Sequence, residues 1–119
     1  MLIKNMIDTT KFTSLDATTG TAVSTAGAAT INAQTGVITT EALTTAAGAT
    51  YTMTLTNTYI KVGSIVNVTV GKGTDTAGMP VVAFVTPAAG SAVIILQNVH
   101  AANALNGTIL IGFSVLNVT

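Results

Sequence analysis

Residues 50–56 have the sequence Thr50-Tyr51-Thr52-Met53-Thr54-Leu55-Thr56. Threonine stands at every second position, and a large apolar side chain stands at each position between. Successive side chains of a β-strand point to opposite faces, whereas a helical stripe repeats about every 3.6 residues. The stretch therefore predicts a half-buried strand with hydroxyl groups on one face and a core-facing apolar surface on the other.

Similar runs of β-branched residues, separated by turn signals, continue on both sides of this strand. Residues 30–32 and 37–40 flank a glycine-containing turn and predict a hairpin. Further strands are predicted at residues 64–70, 80–86, 91–99 and 108–118. Strands spaced by about 8–12 residues are typical of a sandwich or barrel. We therefore expect an all-β fold, an antiparallel β-sandwich or jelly roll of about seven to eight strands.

The N-terminal quarter of the chain has a different composition. Residues 9–29 are rich in Thr, Ala, Ser and Gly and show little apolar periodicity. We therefore predict an extended N-terminal arm over residues 1–29 and a β-sandwich domain over residues 30–119. An arm of this composition has little apolar surface with which to order itself. We expect it to contact a partner, either by lying on that partner or by exchange between subunits.

The overall composition excludes several classes of function. The 119 residues are 49% hydrophobic and 7% charged, with zero net charge, whereas ordinary soluble domains carry roughly 25% charged residues. A neutral chain without arginine lacks the basic surface that nucleic-acid binding needs. We therefore expect no nucleic-acid partner. The absence of cysteine excludes disulfides, thiolate metal sites and thiol nucleophiles. A near-neutral surface also favours association between proteins, so we expect a homo-oligomer.

The high mean hydropathy, +0.67, raises the question of a membrane. The most apolar runs, residues 92–96 and 108–116, are shorter than the roughly 20 residues that a spanning helix needs. The N-terminal residues also lack the apolar core of a secretory signal, about 7–15 residues long. We therefore expect no membrane partner and no export by a signal peptide.

The last strands have large apolar residues at successive positions. Val93 and Ile95 fall on one face of a strand, and Ile94 and Leu96 fall on the other. A strand that is apolar on both faces must be covered on both. In a sandwich without helices, we expect the outer cover to be another subunit.

Few side chains are candidates for chemistry. His100 is the one group whose ordinary pKa lies near neutrality, and we expect a loop histidine that makes a hydrogen bond or an interface contact. Asp75 is a single carboxylate in the glycine-rich loop 71–78, and calcium loops need several. We expect a solvated loop tip there. The sequence thus predicts no catalytic, cofactor-binding or metal-ligating residue, and we expect a protein that is not an enzyme.

Two further patterns have ordinary explanations. Asn67, Asn106 and Asn117 begin matches to the N-glycosylation acceptor pattern, which arise by chance in a threonine-rich chain. The threonine rows could serve sugar or ice binding, but threonine is frequent in exposed strands because of its β-propensity. We assign neither pattern a function at this point.

Four segments resemble patterns that are common in structural proteins of tailed bacteriophages. They are GVITTEALTTAAG at residues 36–48, LTN at 55–57, GSAVIILQN at 90–98 and ALNGTI at 104–109. The resemblance implies a jelly-roll sandwich of the virion, typically trimeric. It covers capsid decoration (cement) proteins and head or tail fibre domains alike. Because the chain is small and its surface is near neutral, we expect a decoration protein on the capsid surface, with the major capsid protein as partner. The alternative that the resemblance leaves open is a fibre or spike domain that binds a host receptor or glycan.

The alternation in residues 50–56 generates a stability prediction. Truncating Leu55 to Ala should lower the free energy of unfolding by roughly 2–5 kcal/mol, because a core side chain is lost. Thr54→Ala, on the opposite face, should change it little. Chemical denaturation of both variants measures the difference, and equal effects would mean that the assignment of the two faces is wrong.

Overall fold

The computed structural model describes residues 18–117, and eight β-strands form two four-stranded sheets. Sheet 1 has the order β1-β3-β8-β5, and sheet 2 has the order β2-β4-β7-β6. The strands are β1 (Thr19–Val23), β2 (Ala28–Thr30), β3 (Thr35–Thr39), β4 (Thr50–Thr56), β5 (Ile65–Lys72), β6 (Pro80–Ala88), β7 (Ser91–Asn98) and β8 (Ile109–Leu116). The predicted all-β sandwich and the number of its strands are confirmed. The hairpin predicted from residues 30–32 and 37–40 is wrong, because β2 and β3 lie in different sheets and do not pair.

Strand β4 has the two faces that its alternation predicts. Met53 and Leu55 are fully buried, and Tyr51 is half-buried on the same face. The threonines point outward and are exposed, except for Thr54, which is half-buried. The strand pairs antiparallel with β7 in an unbroken register that places Met53 opposite Ile94. The predicted orientation of β4 is therefore confirmed.

The core lies between the two sheets. Its fully buried large side chains include Ile38 of β3 and Ile109 and Ile111 of β8, all from sheet 1. Val66, Val68 and Val70 of β5 are half-buried and pack against the same cluster, as the period of that strand predicts. Strand β7 buries its even-numbered residues almost completely, while its odd-numbered residues on the outer face stay half-exposed.

The structure differs from the predicted boundary at residue 29, because β1 and β2 lie inside the predicted arm. Both strands pair parallel to their neighbours, β1 with β3 and β2 with β4, so the sheets are mixed and not wholly antiparallel. Gly20 faces the interior, where an added Cβ would lie 2.8 Å from Ile31 Cγ2. Small residues thus allow close packing here, although they give the sequence no strand-like periodicity. Residues 1–17 of the predicted arm lie outside the described residues.

A tight turn joins β1 to β2 and carries the chain from one sheet to the other. Thr25 and Ala28 exchange backbone hydrogen bonds of 2.9 and 3.0 Å. Ala26 has φ 49° and Gly27 has φ 77°, so both central residues are left-handed, as a type I′ turn requires. An added Cβ at Gly27 would lie 2.6 Å from the Thr52 carbonyl oxygen. Glycine is therefore needed at the second position, whereas alanine at the first is strained.

Ala26→Gly should raise the free energy of unfolding by about 0.5–1 kcal/mol, because it relieves the left-handed alanine at a modest cost in chain entropy. Urea denaturation monitored by circular dichroism measures the change. The matched control is Ala28→Gly, which places the same substitution in β2 and should destabilise. A loss of stability in Ala26→Gly would contradict the assigned turn.

Candidate functional site

Asp75 is buried, contrary to the predicted solvated loop tip, with 3% of its surface exposed. Its Oδ1 accepts hydrogen bonds from the N–H of Asn106 at 2.7 Å and of Gly78 at 3.4 Å. Lys72 Nζ lies 3.5 Å from its Oδ2. Burial alone would raise the pKa of this carboxyl, but the two N–H donors and the ammonium charge hold the pKa below its ordinary value. Asp75 therefore joins two loops that are distant in sequence.

Reciprocal hydrogen bonds hold the same two loops together. The N–H of Thr74 donates to Thr108 Oγ1 at 2.9 Å, and the N–H of Thr108 donates to Thr74 Oγ1 at 2.8 Å. Thr76 and Asn106 repeat this exchange through the Asn106 amide. The loops approach closely because Gly107 has no side chain: an added Cβ would lie 2.5 Å from Thr74 Oγ1. These polar groups are thus engaged in fixing the end of the sandwich.

His100 holds its own loop. Its Nδ1 accepts the N–H of Ala102 at 3.0 Å and of Asn103 at 2.9 Å. The expected loop histidine with a hydrogen bond is the arrangement found. The neighbouring Asn98 is fully buried and makes four side-chain hydrogen bonds, two of them to the N–H groups of Met79 and His100. Sequence analysis did not single out Asn98, because an asparagine at a strand end is a common turn residue.

Glu41 forms a second polar cluster that sequence analysis missed. Its carboxylate accepts hydrogen bonds from Ser24 Oγ, from Tyr51 Oη at 3.0 Å and from the N–H of Gly27 at 3.0 Å. Burial opposes ionisation, but these donors together hold the pKa of Glu41 below its ordinary value. Burial and the Glu41 charge raise the pKa of Tyr51 to about 12. The cluster fastens the turn between β1 and β2 to β4.

Titratable groups do not converge elsewhere in the part of the chain that the structure describes. Among residues 18–117, no three His, Asp or Glu side chains lie close enough to share a metal ion. The same residues contain no helix long and apolar enough to cross a membrane.

The outer face of sheet 1 carries a shallow groove of about 700 Å³, which we call the threonine groove. Two adjacent rows of the ladder form it: Thr21, Val37, Gly112 and Thr69 in one, and Thr19, Thr35, Ser114 and Asn67 in the other. Gly112 leaves the floor open in the middle of β8, so the backbone is accessible there. Of the three acceptor-pattern asparagines, Asn67 faces this groove, whereas Asn106 and Asn117 bond to Thr76 and Ser64 at the two ends of the sandwich.

The outer face of sheet 2 is apolar along β6 and β7, and we call this surface the β6–β7 face. Phe84 stands opposite Ile95, and the N–H of Val99 bonds to the Met79 carbonyl just beyond the strand ends. Phe84 is 58% exposed, Met79 53% and Val99 45%. The full set is Met79, Val81, Phe84, Val93, Ile95 and Val99. The predicted two-faced character of β7 is thus found, with its outer face open to solvent in the single chain.

Comparison of this chain with protein-family models, with curated proteins and with solved structures finds no match.

The two lowered carboxyl pKa values generate a pH prediction. The folded pKa of Glu41 and Asp75 lies below the unfolded value of about 4, so their stabilisation is present above that pH and is lost as the pH falls through the folded pKa. The thermal midpoint should therefore decrease below pH about 4. Glu41→Gln/Asp75→Asn should be less stable at neutral pH and should show a flatter profile in acid. An unchanged acid profile in this variant would assign the dependence to other groups.

Proposed function

We propose that this chain is a structural protein of a bacteriophage particle, a capsid decoration (cement) protein that acts as a homo-oligomer and binds the major capsid protein. The observation that carries the proposal is the β6–β7 face. Its exposed aromatic and aliphatic side chains form one surface on strands that contain no charged residue. Contiguous apolar surface of this kind marks protein–protein contact.

The edge beside this face favours contact through the face and not through strand addition. Strand β6 is the outermost strand of sheet 2, and an open edge invites pairing with other chains. Pro80 and Pro87 remove two N–H donors from β6, and the register shifts between Val82 and Phe84. These features blunt the edge and leave the apolar face available to a second copy or to the capsid.

The resemblance of four segments to tailed-phage structural proteins supports a jelly-roll protein of the virion, and the small size and near-neutral surface of the chain favour decoration over a fibre. The strand pairing supports the jelly roll, because β3 pairs with β8 and β4 pairs with β7, with β5 and β6 between them in sequence. Jelly rolls nest their strands in this way. The predicted trimer comes from the resemblance alone. The predicted docking of the N-terminal arm concerns residues 1–17, which lie outside the described residues.

The alternative role is a fibre or spike domain that binds a host receptor or glycan. The threonine groove favours it, because the groove lies on the sheet opposite the β6–β7 face. A surface in that position remains open when the β6–β7 face is covered. The two roles place the protein at different positions on the particle. Sedimenting intact particles and counting the copies of this protein per particle therefore distinguishes them. One copy per small set of capsid subunits supports decoration, and a few copies per particle support a fibre.

Phe84→Glu should convert the oligomer to a monomer that keeps its fold. Burial of a phenylalanine contributes about 1.5–3 kcal/mol, and an unpaired carboxylate in its place costs several kcal/mol more. Light scattering after size-exclusion chromatography measures the mass, and circular dichroism checks the fold. The matched control is Val62→Glu, which adds the same charge to a loop at an 80% exposed position. A monomeric parent, or an unchanged mass in Phe84→Glu, would overturn the proposed assembly.

A further inference from the structure

We propose that the threonine groove binds a neutral saccharide. Two rows that cross all four strands of sheet 1 line the groove with hydroxyl groups and one amide, set among the apolar surface of Val37, the glycines and the threonine methyl groups. Neighbouring strands are about 4.8 Å apart, and same-face residues along one strand are nearly 7 Å apart. Thr21 and Thr69 are both exposed and lie at the two ends of one row, with Val37 and Gly112 between them. A ligand that carries hydroxyl groups on several sides matches this grid of donors and acceptors.

The lack of charged side chains in the groove favours an uncharged ligand. Strands β1, β3 and β8 contain no charged residue, and β5 carries only Lys72 at its end. Lys72 stands opposite Ile109, three ladder positions away from the Thr69–Gly112 pair, and it lies beside Asp75. Phosphate, sulfate and carboxylate groups are bound by charged or bidentate donors. The groove offers them none, so sialylated or sulfated sugars should bind no better than neutral ones.

The position of the groove disfavours an extended peptide. A peptide strand is recognised mainly through main-chain hydrogen bonds at an open sheet edge. The floor of the groove belongs to β8, which has a hydrogen-bonded neighbour on each side. Its backbone groups are used in the ladder, so the hydroxyls of Thr19, Thr21 and Thr69 supply the bonds to a ligand. Thr35 Oγ1 donates to the Thr18 carbonyl, and Asn67 Nδ2 donates to Ser114 Oγ at 3.4 Å. The threonine methyl groups and Val37 give the apolar contact that the C–H faces of a sugar ring require.

The same geometry predicts weak binding at one site. Phe113 points into the core and is 5% exposed, so the groove has no aromatic ring on which a sugar could stack. Several copies held on one particle would raise the effective affinity without any new contact. The inference goes beyond the assembly role and does not depend on it, because each chain contains the whole groove.

The test is calorimetric titration of the full chain with maltohexaose, cellohexaose and chitohexaose, with sialyllactose as the charged probe. Thr21→Val/Thr69→Val removes two hydroxyls and keeps the shape, so binding of the best neutral probe should weaken about tenfold. Thr52→Val/Thr56→Val places the same change on the outer face of sheet 2 and should bind as the parent does. Valine is favoured in strands, so both variants should fold.

A second variant fills the groove. Gly112→Val adds volume at the floor, and its Cβ would meet only the side-chain oxygen of Thr69, at 2.8 Å, which can rotate away. Binding should be lost while the thermal midpoint and the oligomeric mass stay unchanged. Phe84→Glu should bind the same probe with the parent affinity per chain, so failure of the assembly proposal and failure of this one are distinguishable.

Three results would overturn the saccharide site. One is the absence of heat with all three neutral hexasaccharides. Another is tighter binding of sialyllactose than of any neutral probe. The third is a change in oligomeric mass in Gly112→Val, which would make the groove a contact between subunits.

Discussion

Met53 and Leu55 on β4 stand opposite Ile94 and Ala92 on β7, and none of the four is measurably exposed. The two strands pair over seven consecutive residue pairs, although about 40 residues separate them in sequence. Strand β2 adds to one side of this ladder and β6 to the other, and sheet 1 packs over its inner face. Because the ladder is non-local, its loop-closure entropy must be paid before its contacts form. The remaining strands pack on the two edges and the inner face of this ladder.

Polar side chains close the ends of the sandwich, since residues 18–117 form no helix and the chain contains no cysteine. Asn57 and Asn98 are buried, and each uses its amide to bond backbone groups of separate loops. Thr40 Oγ1 accepts the N–H of Ile109 at 2.9 Å and donates to the Glu41 carbonyl. A buried amide or hydroxyl stabilises only when its partners are in place. These hydrogen bonds thus hold each loop in one conformation, while the outer faces of the sheets remain available for contacts with other molecules.

The sequence pattern was sufficient to predict the inward-pointing residues of strands in which apolar and polar residues alternate. The alternation in β4 and β5 gave the correct inward positions, and successive apolar residues in β7 indicated an exposed apolar outer face. The pattern failed for β1 and β2, because small residues pack there by close backbone approach and not by apolar bulk. It also failed for Asp75, whose partner Asn106 lies 31 residues away. The threonines of the groove were visible in the sequence, but only the register brings Thr21, Gly112 and Thr69 into one row.

The attachment of β1 and β2 has a consequence for the dynamics of the molecule. Both strands lie at sheet margins, with five and three residue pairs respectively, and one turn carries the chain between them. Segments with few pairings at a sheet margin have low local stability, so we expect low protection of these two strands in hydrogen exchange apart from the residues that the Glu41 cluster holds. Opening of residues 19–30 leaves the nested strands β3 to β8 intact and uncovers the margins of β3 and β4. Those margins would then present unpaired backbone N–H and C=O groups, the feature that makes an open strand edge prone to pairing.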